Sequence, residues 1–315
     1  MRGEFEFIDQ IRSGYGLDRL GDDCAILPKD SQTDQVITAD LLVEDIDFRL
    51  EWTKPADLGH KALAVSLSDI AAMGAEPKFA LISIGVAENL WKTDFLDGFY
   101  TGWHELAGQF GVELVGGDVS QVPDKLVIDS IIIGEVPKGK AILRSGARPG
   151  DGIFVTGTLG GAAGGLELLL SSGSKNGGDL VEKQLRPKPQ IAVGKQLQLL
   201  GLATAMTDLS DGLSSDLHHL CQASGVGAQI DATSLPIHRE LGPHFGRDVA
   251  LRMALNGGED FELLFTGAVD KVSAAELPGV TRIGEITTDA GKIELANGDE
   301  VRELKPRGFE HFRAV

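Results

Sequence analysis

One aspartate interrupts the apolar side of a stretch that reads as a helix over 57–73. At about 100° per residue, Leu58, Ala62, Val65, Asp69, Ala72 and Met73 fall on the same side. Burying an uncompensated carboxylate costs on the order of several kcal/mol, so Asp69 must reach the surface, pair with Arg or Lys, or bind a cation. Further acids stand at the edges of strand-like runs: Asp22 and Asp23 before Cys24-Ala-Ile-Leu, Asp40 in Thr38-Ala-Asp-Leu, and Asp118 in Gly116-Gly-Asp. Strand ends are where α/β proteins usually bind ligands, although each of these residues alone also reads as a turn aspartate bonded to its own backbone. The segment Thr207-Asp-Leu-Ser-Asp-Gly-Leu adds Asp208 and Asp211, with Ser210 or Asp211 as a helix N-cap. Gly257-Gly-Glu-Asp-Phe-Glu adds paired glycines, either an ordinary turn or a place where backbone approaches a ligand. If these carboxylates converge, either their pKa values rise or hard divalent cations fill the space between them. Oxygen-only ligands favour magnesium, the usual partner of phosphoryl transfer.

Familiar phosphate-binding motifs are absent. Gly134-Glu-Val-Pro-Lys-Gly-Lys-Ala falls short of the Walker A pattern, because Ala141 stands where a hydroxyl must ligate magnesium and Pro149-Gly-Asp leaves no room for the helix. The glycine-rich stretch from Thr156 to Leu166 offers backbone N–H groups that could hold an anion at a helix start. No protein-kinase signature and no nucleophile elbow occurs.

The elements that must position these residues fall in two series. A short N-terminal helix is followed by strands at 24–27 and 35–42, the helix at 57–73, a strand at 79–86, a helix at 93–110, a short strand at 112–115 and a β-branched strand at 126–136. The Gly-, Pro- and Lys/Arg-rich segment 137–151 reads as the crossing point. Beyond it come strands at 152–156, 203–207, 261–266 and 280–286, with helices near 162–170, 189–200 and 213–223. Strands mixed with helices in both halves predict two α+β domains, 1–137 and 138–315.

The chain has 315 residues, of which 42% are hydrophobic, ample for two cores and incompatible with a disordered or disulfide-stapled class. With 29 Lys+Arg against 47 Asp+Glu the net charge is −18, which argues against nucleic acid and anionic membrane partners and suits magnesium-neutralised anionic substrates. No apolar run nears the roughly 20 residues of a membrane span, and the N-terminus lacks a signal peptide's apolar centre, so a cytoplasmic protein is expected. Cys24 and Cys221 read as core residues.

Taken in order and spacing, Gly21-Asp-Asp-Cys-Ala, Thr38-Ala-Asp-Leu-Leu-Val-Glu, the Lys61 to Pro77 stretch with Ser68-Asp-Ile-Ala-Ala-Met-Gly-Ala, Gly116-Gly-Asp, Leu143-Arg-Ser-Gly, Asp208-Leu-Ser-Asp-Gly-Leu and Gly257-Gly-Glu-Asp-Phe-Glu-Leu resemble the thiamine-monophosphate kinase family over nearly the whole chain. The SDIAAMGA stretch is shared more loosely with aminoimidazole ribonucleotide synthetase and selenophosphate synthetase. The resemblance implies the aminoimidazole ribonucleotide synthetase-like fold, with N-terminal domains pairing as a homodimer around a shared β-barrel. It implies ATP-dependent, magnesium-assisted phosphorylation of thiamine phosphate to thiamine diphosphate by direct in-line transfer, without a phosphoenzyme.

By the same resemblance, Asp23, Thr38, Asp40, Asp69, Asp118, Asp208 and Asp211 are magnesium ligands, among which Asp69, Asp118 and Asp208 act in catalysis through the metal. Gly117, Asp118, Arg144 and Ser210 contact ATP, Arg144 offering planar donors to a phosphate oxygen. Glu259 and Phe309 hold the thiamine moiety, where an aromatic face suits a cationic thiazolium. The family commonly has Gly-Val-His-Phe where this chain has Asp45-Ile-Asp-Phe, so Asp47 stands in place of a substrate-contacting histidine. The alternatives are another ATP-dependent synthetase or cyclase of the superfamily and a non-catalytic nucleotide- or magnesium-binding regulator.

Overall fold

A computed structural model of the chain describes residues 3–17, 19, 21–172 and 178–311. The first series comprises α1 (Glu4–Tyr15), β1 (Ala25–Pro28), β2 (Thr33–Val43), α2 (Pro55–Ala72), β3 (Glu76–Val86), α3 (Glu88–Trp91), α4 (Phe95–Phe110), β4 (Glu113–Gln121) and β5 (Val127–Pro137). Its five strands form one sheet in the order β1-β2-β5-β3-β4, antiparallel except for the parallel pair β3–β4. Within this chain the sheet is open, with β1 and β4 at its edges, and does not close into a barrel.

The long central strands alternate between buried and half-buried residues, as expected where one face covers a core. Helix α2 lies against that face and is enclosed by α4 and by a later helix at Ile191–Leu200 as well. Proline at its first position starts the helix. Gly59 and Gly102 let α2 and α4 meet backbone to backbone: a Cβ on Gly59 would lie 1.9 Å from the Phe99 carbonyl oxygen, and one on Gly102 1.9 Å from that of Ala56. The result corrects the single apolar side read from periodicity, because α2 is buried nearly all round. Between Leu58 and Ala72, Asp69 alone keeps partial solvent access.

The second series comprises β6 (Gly152–Thr156), α5 (Gly161–Ser172), α6 (Gly178–Leu185), α7 (Ile191–Leu200), β7 (Ala205–Asp208), α8 (Leu213–Ser224), β8 (Gly227–Asp231), α9 (Leu241–Phe245), α10 (Arg247–Asn256), β9 (Leu263–Gly267), α11 (Val269–Ala274), β10 (Val280–Thr287), β11 (Ile293–Asn297) and β12 (Glu300–Glu303). The seven strands form a mixed sheet in the order β12-β11-β8-β10-β6-β9-β7. Strands β8, β11 and β12 and helices α3, α6 and α9–α11 have no counterpart in the sequence reading; all but α10 span eight residues or fewer, too few for a period to stand out. The apolar core around α2 continues across the crossing point, taking in Phe154, Met206, Leu263 and Phe265, so the two series share packing; a second core lies wholly in the later series. Both cysteines are buried and free. No helix among the described residues is long and apolar enough to cross a membrane.

Candidate active site

Three carboxylates from three elements meet where the two series touch. Asp23 precedes β1, Asp69 projects from the accessible side of α2, and Asp208 ends β7; one oxygen of each lies within 4.8 Å of the others. Hydroxyl groups fix them. Thr38 Oγ1 donates to Asp69 Oδ2, Ser68 Oγ donates to Asp208 Oδ2 at 2.6 Å, and Thr207 Oγ1 donates to Asp23 Oδ1 at 2.9 Å. Arg144 reaches the same Asp23 oxygen through Nη2 at 2.6 Å and Nε at 3.2 Å, and its backbone N–H donates to Asp22 Oδ1 at 2.7 Å. Asp40 lies two residues from Thr38 on the same face of β2.

Such packing of like charges has its electrostatic consequence. Burial, then the charges of Asp40, Asp208 and Asp23, push the Asp69 carboxyl well above the ordinary range. Burial also raises Asp208 to about 7, with Asp23 adding to the effect, and Asp40 to about 6. Asp23 Oδ2 and Asp40 Oδ2 are buried with no hydrogen-bond partner. Unpaired carboxylate oxygens beside a converging trio are the donor set of a hard divalent cation, so the residues present fit magnesium.

The other acids singled out from the sequence fall elsewhere. Gly117 and Asp118 lie inside β4, which runs to Gln121 instead of stopping at 115, and Asp118 pairs in register with Ser83 on the exposed edge of the sheet. Gly117 is dictated by that geometry, since a Cβ there would sit 1.8 Å from the Ile82 carbonyl oxygen. Among the described residues Asp118 is not one of the carboxylates that converge with the trio. Ser210 and Asp211 do not cap α8: the N-cap is Gly212, and Asp216 Oδ2 accepts from its N–H at 2.9 Å, reaching back from the first turn. Asp211 instead lines the cleft described next, where burial, then Glu4, raises it to about 6.

A cleft of about 580 Å³ opens beside the acid cluster, lined among others by Asp40, Asp47, Ser210, Asp211, Glu259 and Phe309. Its floor is the Gly257-Gly-Glu-Asp-Phe-Glu loop. Glu259 and Phe261 take positive φ values of 65° and 50°, unusual for side-chain-bearing residues and held here by Glu259 N–H donating to Ser210 O at 2.7 Å and Phe261 N–H to Leu209 O at 2.9 Å. The loop's three acids have separate partners. Glu259 receives Lys61 Nζ at 2.7 Å and Gln184 Nε2 at 2.5 Å, while Glu262 receives Thr156 Oγ1 at 2.7 Å and Lys183 Nζ at 3.1 Å. Asp260 accepts the N–H groups of Gly160 and Ala162 at 2.5 and 3.1 Å. That carboxylate occupies the start of α5, so the glycine-rich stretch after Thr156 is not open to an external anion.

Phe309 is half exposed, anchored by its N–H to Asp211 O at 3.0 Å, with its ring edge-to-face on His311 at 4.8 Å. Asp47 Oδ2 accepts Val43 N–H at 2.7 Å, and burial raises its carboxyl. Sequence reasoning missed Lys61, Ser68, Gln184 and Thr207. Lys61 had a usable signal, a lysine two helical turns before Asp69 in a mostly apolar helix.

The whole arrangement has known counterparts. Residues 21–136 match the AIR synthase related protein N-terminal domain and residues 148–295 the corresponding C-terminal domain. The chain is 39% identical to thiamine-monophosphate kinase of Escherichia coli (strain K12) over 98% of both chains, and 38% identical to that of Bacillus subtilis (strain 168) over 93% of both. A solved structure described as AaThiL complexed with AMPPCP and TMP superposes with a TM-score of 0.89 at 34% identity, covering 98% of this chain and 97% of that one.

Proposed function

Since the chain belongs to the thiamine-monophosphate kinase family of AIR synthase related proteins, we propose that it moves the γ-phosphoryl group of ATP onto the phosphate of thiamine phosphate, yielding thiamine diphosphate and ADP. The observation that carries this reading is the convergence of Asp23, Asp69 and Asp208 beside a cleft lined by Asp40, Asp211, Glu259 and Phe309.

Asp23, Asp69 and Asp208, with Asp40 and Thr38, would hold magnesium, and Asp211 extends the set toward the acceptor. Bound there, magnesium would supply positive charge to neutralise the phosphates. The chain's own groups supply position. Arg144 holds Asp23 and offers its remaining guanidinium donors to a phosphate, while Ser210, which lines the cleft, would contact the nucleotide. Glu259, Phe309 and Asp47 bind and orient the acceptor, their carboxylates and ring face attracting a cationic thiazolium. The attacking phosphate oxygen is already ionised near neutral pH, so no residue need remove a proton, and catalysis reduces to alignment and electrostatics.

Gly117 and Asp118 enter this reading through dimerisation. Strand β4 presents an unpaired edge along nine residues, with Val115 51% and Val119 47% exposed. An open edge of that length with exposed valines calls for a partner. We take it to be a second copy, the two N-terminal sheets completing a barrel and carrying Asp118 to the phosphate region. The domains in this proposal are 1–137 and 138–315, and the enzyme works in the cytoplasm, where ATP is supplied.

The test is a mass-spectrometric product assay with ATP, magnesium and thiamine phosphate, run with and without the acceptor. Thiamine diphosphate in step with ADP is the expected result. Inorganic phosphate in place of thiamine diphosphate would transfer the chain to synthetase chemistry, and ADP formation independent of acceptor would remove the kinase assignment.

A further inference from the structure

Lys61 is the buried ammonium of helix α2, whose other buried residues are apolar apart from His60, Ser66 and Ser68, and its side chain is 2% exposed. Desolvating an ammonium group is expensive unless it is paired, so its partners show what its position is for. They are two. Nζ lies 2.7 Å from Glu259 Oε1 and donates to the backbone oxygen of Asp47 at 3.3 Å. Asp47 belongs to the turn after β2, whereas Glu259 belongs to the loop before β9, so one ammonium ties together two cleft walls separated by more than half the chain.

Position along the helix adds to this. Lys61, Val65 and Asp69 stand at successive four-residue intervals and therefore on one side of α2, spanning about 12 Å at 1.5 Å per residue. Val65 lines the main cleft between them, and Lys61 lines a smaller adjoining recess of about 160 Å³ that also includes Asp47, Gln184 and Glu259. A single rigid helix thus carries a metal-site acid at one end and the anchor of the acceptor walls at the other. The Glu259 side chain is 31% exposed, so the direction of its carboxylate is set by the groups that hold it, Lys61 on one oxygen. Gln184 fixes the second oxygen at 2.5 Å, which leaves a defined face of the carboxylate toward the cleft.

We propose that Lys61 is a positioning residue for the acceptor: it holds Glu259 and the Asp47 turn at a set distance from Asp69 and thereby determines affinity for the cationic, phosphate-bearing acceptor and not for the nucleotide. This rests on the acceptor being thiamine phosphate, which the wild-type product assay decides separately.

The test compares wild type with Lys61→Met, Lys61→Arg, Gln184→Ala and the double variant Lys61→Met/Gln184→Ala. Methionine matches the buried stem and removes only the charge. Lys61→Met is expected to raise the KM for thiamine phosphate at least tenfold with the KM for ATP within twofold, and Lys61→Arg to recover a substantial part. Because both side chains hold the same carboxylate, the double variant should be far from the product of the single effects. Equal changes in both KM values, an unchanged acceptor KM in a folded Lys61→Met protein, or strictly multiplicative effects would overturn the proposal. Should Lys61→Met fail to fold by circular dichroism, Lys61→Arg and Gln184→Ala decide it by the same split between the two KM values. Absence of thiamine diphosphate from the wild-type reaction would overturn the acceptor assignment on which the proposal rests, and the proposal with it.

Discussion

Ser68 and Asp208 are 140 positions apart in sequence and joined by a 2.6 Å hydrogen bond, the hydroxyl on α2 donating to the carboxylate that ends β7. Ser68 immediately precedes Asp69, so consecutive residues of one helix supply a cluster acid and the group that orients another. The cluster exists only when the two series are docked, so in the proposed function domain packing is what assembles the metal site.

Asp69→Asn removes one charge from the crowded trio. Turnover is expected to fall at least a hundredfold, while the metal-free protein keeps or gains thermal stability because like-charge repulsion is relieved. Magnesium should then fail to raise Tm. Steady-state rates and melting curves with and without magnesium check both halves, and near-normal turnover at saturating magnesium would remove Asp69 from the metal set.

The sign of the pH dependence follows from the raised carboxyls. Asp40 and Asp208 titrate at about 6 and about 7 in the folded protein, chiefly through burial, against about 3.9 in an unfolded chain. The folded state therefore binds more protons, and this contribution is complete below about pH 4 and lost as pH rises through the folded values. In the metal-free protein Tm is expected to fall between about pH 5 and pH 8. Magnesium should raise it by several degrees at the upper end and hardly at the lower, where protons compete for the same oxygens. Calorimetry with and without a chelator measures this.

Phe309→Ala removes a half-exposed ring whose backbone is fixed to Asp211. The KM for thiamine phosphate should rise about tenfold, with little effect on ATP or on stability. Equal effects on both substrates would move Phe309 out of the acceptor site.

Val119→Lys places a charge on the open edge strand β4, where Val119 is 47% exposed. In sedimentation experiments the wild type should run as a dimer and the variant as a monomer with reduced turnover. A wild-type monomer of full activity would leave Asp118 outside the site.

Much of the molecule was legible in the sequence, for a local reason. The period of α2, the β-branched run of β5 and the alternation along β2 are properties of neighbouring residues, and so is the conflict between Asp69 and its apolar surroundings. An acid that cannot be buried alone announces itself wherever it ends up. The motif order was equally readable, and with it the family. What only tertiary structure decided concerns residues whose partners lie far away in the chain. Asp23, Asp69 and Asp208 become a site through docking of two sheets, Asp118 is left on an edge by the strand order, and Asp260 fills a helix start that the glycine pattern offers to a ligand. The N-cap reading of Ser210 and Asp211 failed because Asp216, one turn into the helix, reaches back to Gly212. Lys61 stands out in the sequence as a lysine on the side of α2 that carries Asp69, but its meaning comes from Glu259, brought to it across 198 positions by the fold.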